Sequence, residues 1–265
     1  MAIAEIVVST LGELVDQITP SSPDPATGRR RDTGVYRGSG DARWGLLTSL
    51  DRLGGVNPPH TKSSLEEHIL RNFIRYSRPY LVASASNEWE LLVQAQHHGL
   101  PTRLLDWTYS PLVAAHFATL AHQPGADAAI WRLDWQQVHR RFGFAPLAML
   151  IEDLLTLFPG ERPFTPWALI SGNRTAKPFA CMVDPPTIST RIASQSATFT
   201  ICSEKRKTFD QFLEEHDLRG ALTKFVIPER EVPRVRDQLD LVGMDERHLF
   251  PDLDGVAEQL RRYYS

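Results

Sequence analysis

Residues 87–121 constrain the fold more than any other stretch of the chain. Asn87 precedes a run in which Trp89, Leu92 and Val93 share one helical face, with Glu90 three residues beyond the cap. Gly99 and Pro101 then stop that helix, glycine as a left-handed cap and proline because it cannot continue. The segment Thr102–Thr108 reads as a buried strand and its exit. Ser110-Pro111 opens a second helix, N-cap then first turn, whose Ala114, Ala115, Ala118 and Ala121 predict unusually close packing. The joint between the two helices carries Gln96, His97, His98, Thr102, Arg103, Asp106, Trp107 and Thr108. Polar groups at a buried junction must bond one another or a ligand. Two arrangements follow: a self-satisfied network in which Arg103 pairs with Asp106, or a cluster facing a bound molecule.

The other elements are mixed. Strands are predicted at Val35–Gly38, Ala128–Leu133, Thr198–Cys202 and Leu222–Ile227. Ile6–Ile18 has helical spacing at Leu11, Leu14, Val15 and Ile18. Ser63 and Glu66 form a capping-box pattern ahead of a helix with Leu65, Ile69 and Phe73 on one face. Further helices are expected at Ala145–Phe158, at Glu204–His216 with Phe209, Phe212 and Leu213 buried, and near Pro233–Leu241 and Asp252–Tyr264. Thr19–Gly34, with three prolines, two glycines and the triplet Arg29-Arg30-Arg31, reads as a flexible loop with a solvated basic run. Residues 159–187 are proline-rich and match no pattern. There is no internal repeat, no heptad and no regular βα alternation, so the fold class is α+β rather than doubly wound α/β. We expect a single domain: an N-terminal helix and loop over 1–34, a core over 35–227, and a helical appendage over 228–265. In that appendage Val256, Leu260 and one of Tyr263 and Tyr264 should face inward.

Composition narrows the function classes. The chain has 265 residues, 42% of them hydrophobic, with a formal charge of −3. That balance offers no general electrostatic case for nucleic acid or anionic membrane as a partner. Two cysteines, Cys181 and Cys202, are too few for a disulfide framework or a thiolate zinc site. No apolar run approaches the ~18 residues of a membrane span, and the first ten residues lack the basic start of a signal peptide. A cytoplasmic location is expected, and the Asn173-Arg174-Thr175 sequon is then a chance match. Gly38-Ser39-Gly40 lacks the third glycine of a dinucleotide fingerprint, and no Walker loop, nucleophile elbow or HExxH occurs.

Three elements could carry chemistry. The first is the joint described above. Its adjacent His97 and His98 would point about 100° apart on a helix, a poor metal pair, and no metal site is expected. The second is Tyr36-Arg37-Gly38, where an arginine at a strand end beside a glycine suits a phosphate or carboxylate, or is simply a surface residue of an edge strand. The third is Gln195, ahead of a β-prone run. A glutamine can hydrogen-bond a ligand hydroxyl or stabilise a turn, but it cannot act as a base.

At these residues the chain resembles the FRG domain family, named for a Phe-Arg-Gly motif that reads Tyr36-Arg37-Gly38 here. The family's Trp-x-Leu-x-[Pro/Thr]-Ser-Leu-x-Arg pattern reads Trp44 to Arg52, and its central signature stands intact as Gln96 to Thr108. The helix Ser110–Ala118, the run Arg191–Thr200 (with Ala197 where the family usually has glycine) and the ending Leu249–Gly255 also fit.

The resemblance implies a bacterial or phage protein with a role in phage defence or toxin-type regulation. Its element order is similar to that of the ADP-ribosyltransferase fold, which implies a mixed, bent or split β-sheet flanked by helices, and an NAD-dependent transferase. By that analogy Arg37, Thr108, Ser110 and Gln195 would be catalytic. Tyr36, Arg37, His98, Arg103, Asp106 and Trp107 would bind NAD as substrate, with Trp107 or Tyr36 stacking on nicotinamide. The acceptor would be protein or nucleic acid, with no membrane partner. Arg37, His98, Arg103, Asp106, Trp107 and Gln195 should then line one cleft. Two other classes stand beside this reading: a non-catalytic nucleotide- or partner-binding module, and a nuclease or phosphodiesterase using His97, His98 and Asp106.

Overall fold

The computed structural model describes residues 3–54, 56–80, 85–158, 162–172, 177–204 and 206–264. The sequon at 173–175 lies outside the described residues. Among those described, eight strands form one open, mixed sheet: β1 Ala4–Val7, β2 Val35–Ser39, β3 Leu105–Thr108, β4 Ala128–Leu133, β5 Met149–Leu150, β6 Ala180–Asp184, β7 Ala197–Cys202 and β8 Leu222–Ile227, in the order β1-β8-β4-β2-β3-β7-β6-β5. β1 runs parallel to β8 and β5 to β6, and every other neighbouring pair is antiparallel.

Helices cover both faces. In chain order they are α1 Leu11–Ile18, α2 Lys62–Ser77, α3 Glu88–His97, α4 Pro111–Leu120, α5 Trp135–Phe142, α6 Ile151–Leu155, α7 Pro166–Ser171, α8 Thr190–Ser194, α9 Phe209–Glu215, α10 Val232–Leu241, α11 Glu246–Leu249 and α12 Leu253–Tyr263. The chain is therefore α+β. Strand side chains alternate between faces, so each strand feeds two cores. Val35, Leu105, Trp107, Trp131 and Leu133 pack with Trp135 and Val138 of α5 and Phe209, Phe212 and Leu213 of α9. The opposite face carries two further cores. Tyr36, Ile130 and Phe225 meet the alanines of α4 and Val232, Val235 and Leu239 of α10. Phe199, Ile201, Cys181 and Val183 meet Trp89, Leu92 and Val93 of α3, Leu70 of α2 and Leu169 of α7.

Several expectations are corrected. Ile6 and Val7 belong to an edge strand, and the helix starts only at Leu11, behind the N-cap Thr10. The stretch 145–158 holds a two-residue strand and a five-residue helix, while the unpredicted α5 precedes it. α2 is capped by Thr61 and Ser64 rather than by Ser63 and Glu66, and the residues it buries are Glu66 and Leu70. Glu66 is thus freed from capping and enters the interior. At the other end, Val256, Leu260, Tyr263 and Tyr264 face solvent. α12 is held by its opposite side: Gly255 seats against the Phe250 carbonyl, and Arg262 bridges Asp240 and Glu246.

Candidate functional site

β2 and β3 share a single registered pair, Tyr36↔Thr108, and then part. On its other side β2 stays zipped to β4 through five pairs, from Val35↔Leu133 to Ser39↔Ala129. The sheet is therefore split at its centre, and the split opens a cleft of about 870 Å³. The volume lies in the upper part of the usual ligand-site range of about 300–1,000 Å³.

Glycine makes this geometry. A Cβ on Gly38 would sit 2.2 Å from the Ala114 carbonyl and 2.4 Å from the Ala118 nitrogen, and one on Gly40 would sit 1.7 Å from the Ala121 carbonyl. The backbone of α4 lies directly on β2, which is possible only because Gly38 and Gly40 face Ala114, Ala118 and Ala121. The motif glycine and the small residues of α4 are two halves of one contact.

Arg37 spans the split. Its Nη1 donates to the main-chain carbonyl of Asp106 at 2.7 Å and stands 3.5 Å from the Asp106 carboxylate. The guanidinium is mostly buried. Desolvation lowers its pKa, the Asp106 charge opposes that, and the nearby Arg52 adds to it. Register places Glu5, Lys224, Trp131 and Arg37 in one lateral row across β1, β8, β4 and β2. Lys224 pairs with Glu5 at 3.0 Å and lies 5.1 Å from the centre of the Trp131 ring. Trp131 is 4% exposed and lines the cleft, and its indole N–H has no hydrogen-bond partner among the described residues.

Asp106 is set by a relay from α3. The Thr102 hydroxyl donates to Gln96 Oε1 at 2.6 Å, and Gln96 Nε2 donates to Asp106 Oδ1 at 2.8 Å. The Asp106 side chain is 51% exposed and is the one carboxylate among the lining residues; the charged groups around it are Arg37, Arg52 and Arg191. His97 also lines the cleft, its pKa lowered first by burial and then by Arg191. Trp44, 46% exposed, and Phe117 add accessible aromatic surface.

The sequence-predicted residues divide. Arg37, Asp106, Trp107, Thr108, Gln195 and Tyr36 all border the cleft. Tyr36 and Trp107 are nonetheless core residues, 2% and 3% exposed, with the Tyr36 hydroxyl bonded to Asp32 and the Trp107 N–H donating to Thr200. Neither offers a free ring face for stacking. The Thr108 hydroxyl donates to the Gln195 carbonyl at 2.7 Å and accepts from the Ser110 nitrogen, tying β3 to the turn before β7. Gln195 Nε2 donates to the Leu249 carbonyl at 3.1 Å. Ser110 caps α4 and does not reach the cleft.

His98 and Arg103 are not among the lining residues. His98 is exposed at the end of α3. The expected Arg103–Asp106 pair does not form: Arg103 makes a bidentate ion pair with Glu66, and both side chains are buried. Arg52, Trp44 and Arg191 were not named as site residues from the sequence, although each stands at the end of a quoted motif. Trp131 carried no motif signal at all.

Residues 32–127 match the family model of the FRG domain. The chain carries an FRG domain. The matched segment holds β2, β3, α3 and α4, and with them Arg37, Trp44, Arg52, Gln96 and Asp106. Trp131, Arg191 and Gln195 reach the cleft from outside the matched segment, so the cleft is completed by β4 and by α8 with its C-cap. No curated protein and no solved structure matches the chain. Among the described residues no helix is long and apolar enough to cross a membrane.

Proposed function

We propose that the cleft at the sheet split binds NAD as substrate and that the chain is an ADP-ribosyltransferase-like protein acting in phage defence or as a toxin-type effector. One observation carries this reading: Arg37 crosses the split at the centre of a cleft whose charged lining is three arginines against one aspartate. Guanidinium groups grip phosphate oxygens in bidentate geometry, and a pyrophosphate needs more than one. The open split of a mixed sheet is also what the ADP-ribosyltransferase analogy calls for. The fit extends to the flanks. Trp44 presents the accessible ring face that a nicotinamide or adenine needs, in place of the buried Trp107 and Tyr36. The unpartnered Trp131 N–H, beside Arg37 in register, suits a ligand oxygen.

A second reading, a nucleotide- or partner-binding module without catalysis, is favoured by Gln195. Its amide is committed to the Leu249 carbonyl, and it has no carboxylate. Thermal denaturation with and without NAD, followed by chromatography for freed nicotinamide, tests both. A ligand that binds only the folded state raises its stability, by about 2.7 kcal/mol at a hundredfold excess over Kd. Stabilisation with nicotinamide release supports the transferase. Stabilisation without release supports a nucleotide-binding module, and no stabilisation contradicts the transferase and leaves only a module for another partner.

A further inference from the structure

We infer that Asp106 is the proton acceptor of the cleft, the group that does what Gln195 cannot. The inference rests on the NAD reading above and assigns its reacting carboxylate. When NAD is cleaved, the ribosyl C–N bond breaks with its electron pair leaving on nicotinamide. A new C–O bond forms to an acceptor O–H, water in the simplest case, and the acceptor's proton must be received. Among the described residues lining the cleft, Asp106 is the one carboxylate.

Its setting suits that task. The scaffold carboxylates are spent: Glu66 is buried against Arg103, and Glu246 against Arg236 and Arg262. Asp106 is half exposed to the cleft. Gln96 holds Oδ1 at 2.8 Å and is itself fixed by Thr102, which orients the carboxylate, while the side chain as a whole stays half exposed and lines the cavity. Arg37 donates its short hydrogen bond to the Asp106 main-chain carbonyl and only approaches the carboxylate, at 3.5 Å. The charge is therefore left available, and Arg37 keeps its place when the side chain is changed. Gln195 lies on the far side of β3, its nitrogen donating to a carbonyl, with no proton-accepting atom of comparable basicity.

The test is Asp106→Asn in the full chain, with Asp106→Glu beside it, read by NAD affinity from calorimetry and by nicotinamide release with water as acceptor. Asparagine still accepts from Gln96 through Oδ1, so the fold and the Arg37 contact survive. We expect Asp106→Asn to bind NAD as tightly as the parent or more so, because the cleft loses its single negative charge. We expect its release rate to fall about 100-fold or more, the usual scale of a lost general base, and Asp106→Glu to recover part of it. Release by Asp106→Asn at the parental rate overturns the inference and leaves the NAD reading standing. A parent that binds NAD but frees no nicotinamide also overturns it, in favour of the binding module. A parent that does not bind NAD overturns the reading itself.

Discussion

Arg37 on β2 donates to the main-chain carbonyl of Asp106 on β3 at 2.7 Å, just beyond Tyr36↔Thr108, the last point where backbone pairs the two strands. A side chain thus replaces a ladder bond where the sheet opens. The replacement holds the split at a fixed width and leaves a cation and a carboxylate side by side in the cleft.

Scaffold and site separate at two acidic residues. Glu66 and Arg103 form the buried pair, so Glu66→Ala strands a charge in the interior and should destabilise the protein by about 3–5 kcal/mol. Asp106→Ala removes a half-exposed carboxylate and one hydrogen bond from Gln96, a cost of about 1 kcal/mol. Chemical denaturation of both variants checks the order. Equal losses would show that Asp106 belongs to the scaffold.

The motif glycine should be intolerant for a packing reason. Gly38→Ala drives a methyl into the backbone of α4, and overpacking of this kind costs about 1–3 kcal/mol or more, or about 2–12 °C in Tm at this chain length. Gly12→Ala is the contrasting change. Gly12 is helical and exposed, and its nearest atom would be Thr10 Oγ1 at 3.7 Å. Alanine there should raise stability by about 0.5–1 kcal/mol. Calorimetric melting of the two variants should show opposite shifts.

His116 predicts how stability depends on pH. It is fully buried on α4, accepts from Arg236, and has its pKa pulled down to about 4, first by burial and then by the Arg236 charge. The Glu246 carboxylate opposes the shift, as does the Met244 carbonyl, and Arg262 reinforces it. The unfolded chain takes up this proton near pH 6.5, whereas the folded chain does so only near pH 4. The stability tied to His116 is therefore complete above about pH 6.5 and is lost as pH falls toward 4, by up to about 3 kcal/mol. In urea denaturation from pH 7 to 4, His116→Gln should lose less stability than the parent. Parallel curves would contradict the assignment.

The helices around the joint were legible because their signals are local: Asn87 and Ser110 as caps, Gly99 as a stop, and alanines where α4 meets β2. The partner of Arg103 was not, because Glu66 comes from a helix far away in sequence, and its capping pattern with Ser63 disguised it. The misassigned stacking residues have a simpler cause. Neighbours on a strand point to opposite faces, so Tyr36 cannot share Arg37's face, nor Trp107 that of Asp106. Trp131 and Arg191 could be placed only by sheet order, since β4 and the approach to β7 come to the split through pairings distant in sequence. The edge strand at Ala4–Val7 escaped because a short apolar run beside a strong N-cap reads as the start of the helix that follows.

The proposed NAD site depends on Arg37, and calorimetric titration of NAD into the parent and Arg37→Ala tests it most directly. The variant loses one charge-assisted hydrogen bond within the protein and should stay folded, with about 1.5–3 kcal/mol less stability. Saturable one-site binding by the parent, weakened in Arg37→Ala by about 10- to 100-fold or more, is the predicted result. No saturable binding by the parent, or equal affinity in a folded Arg37→Ala, would contradict it.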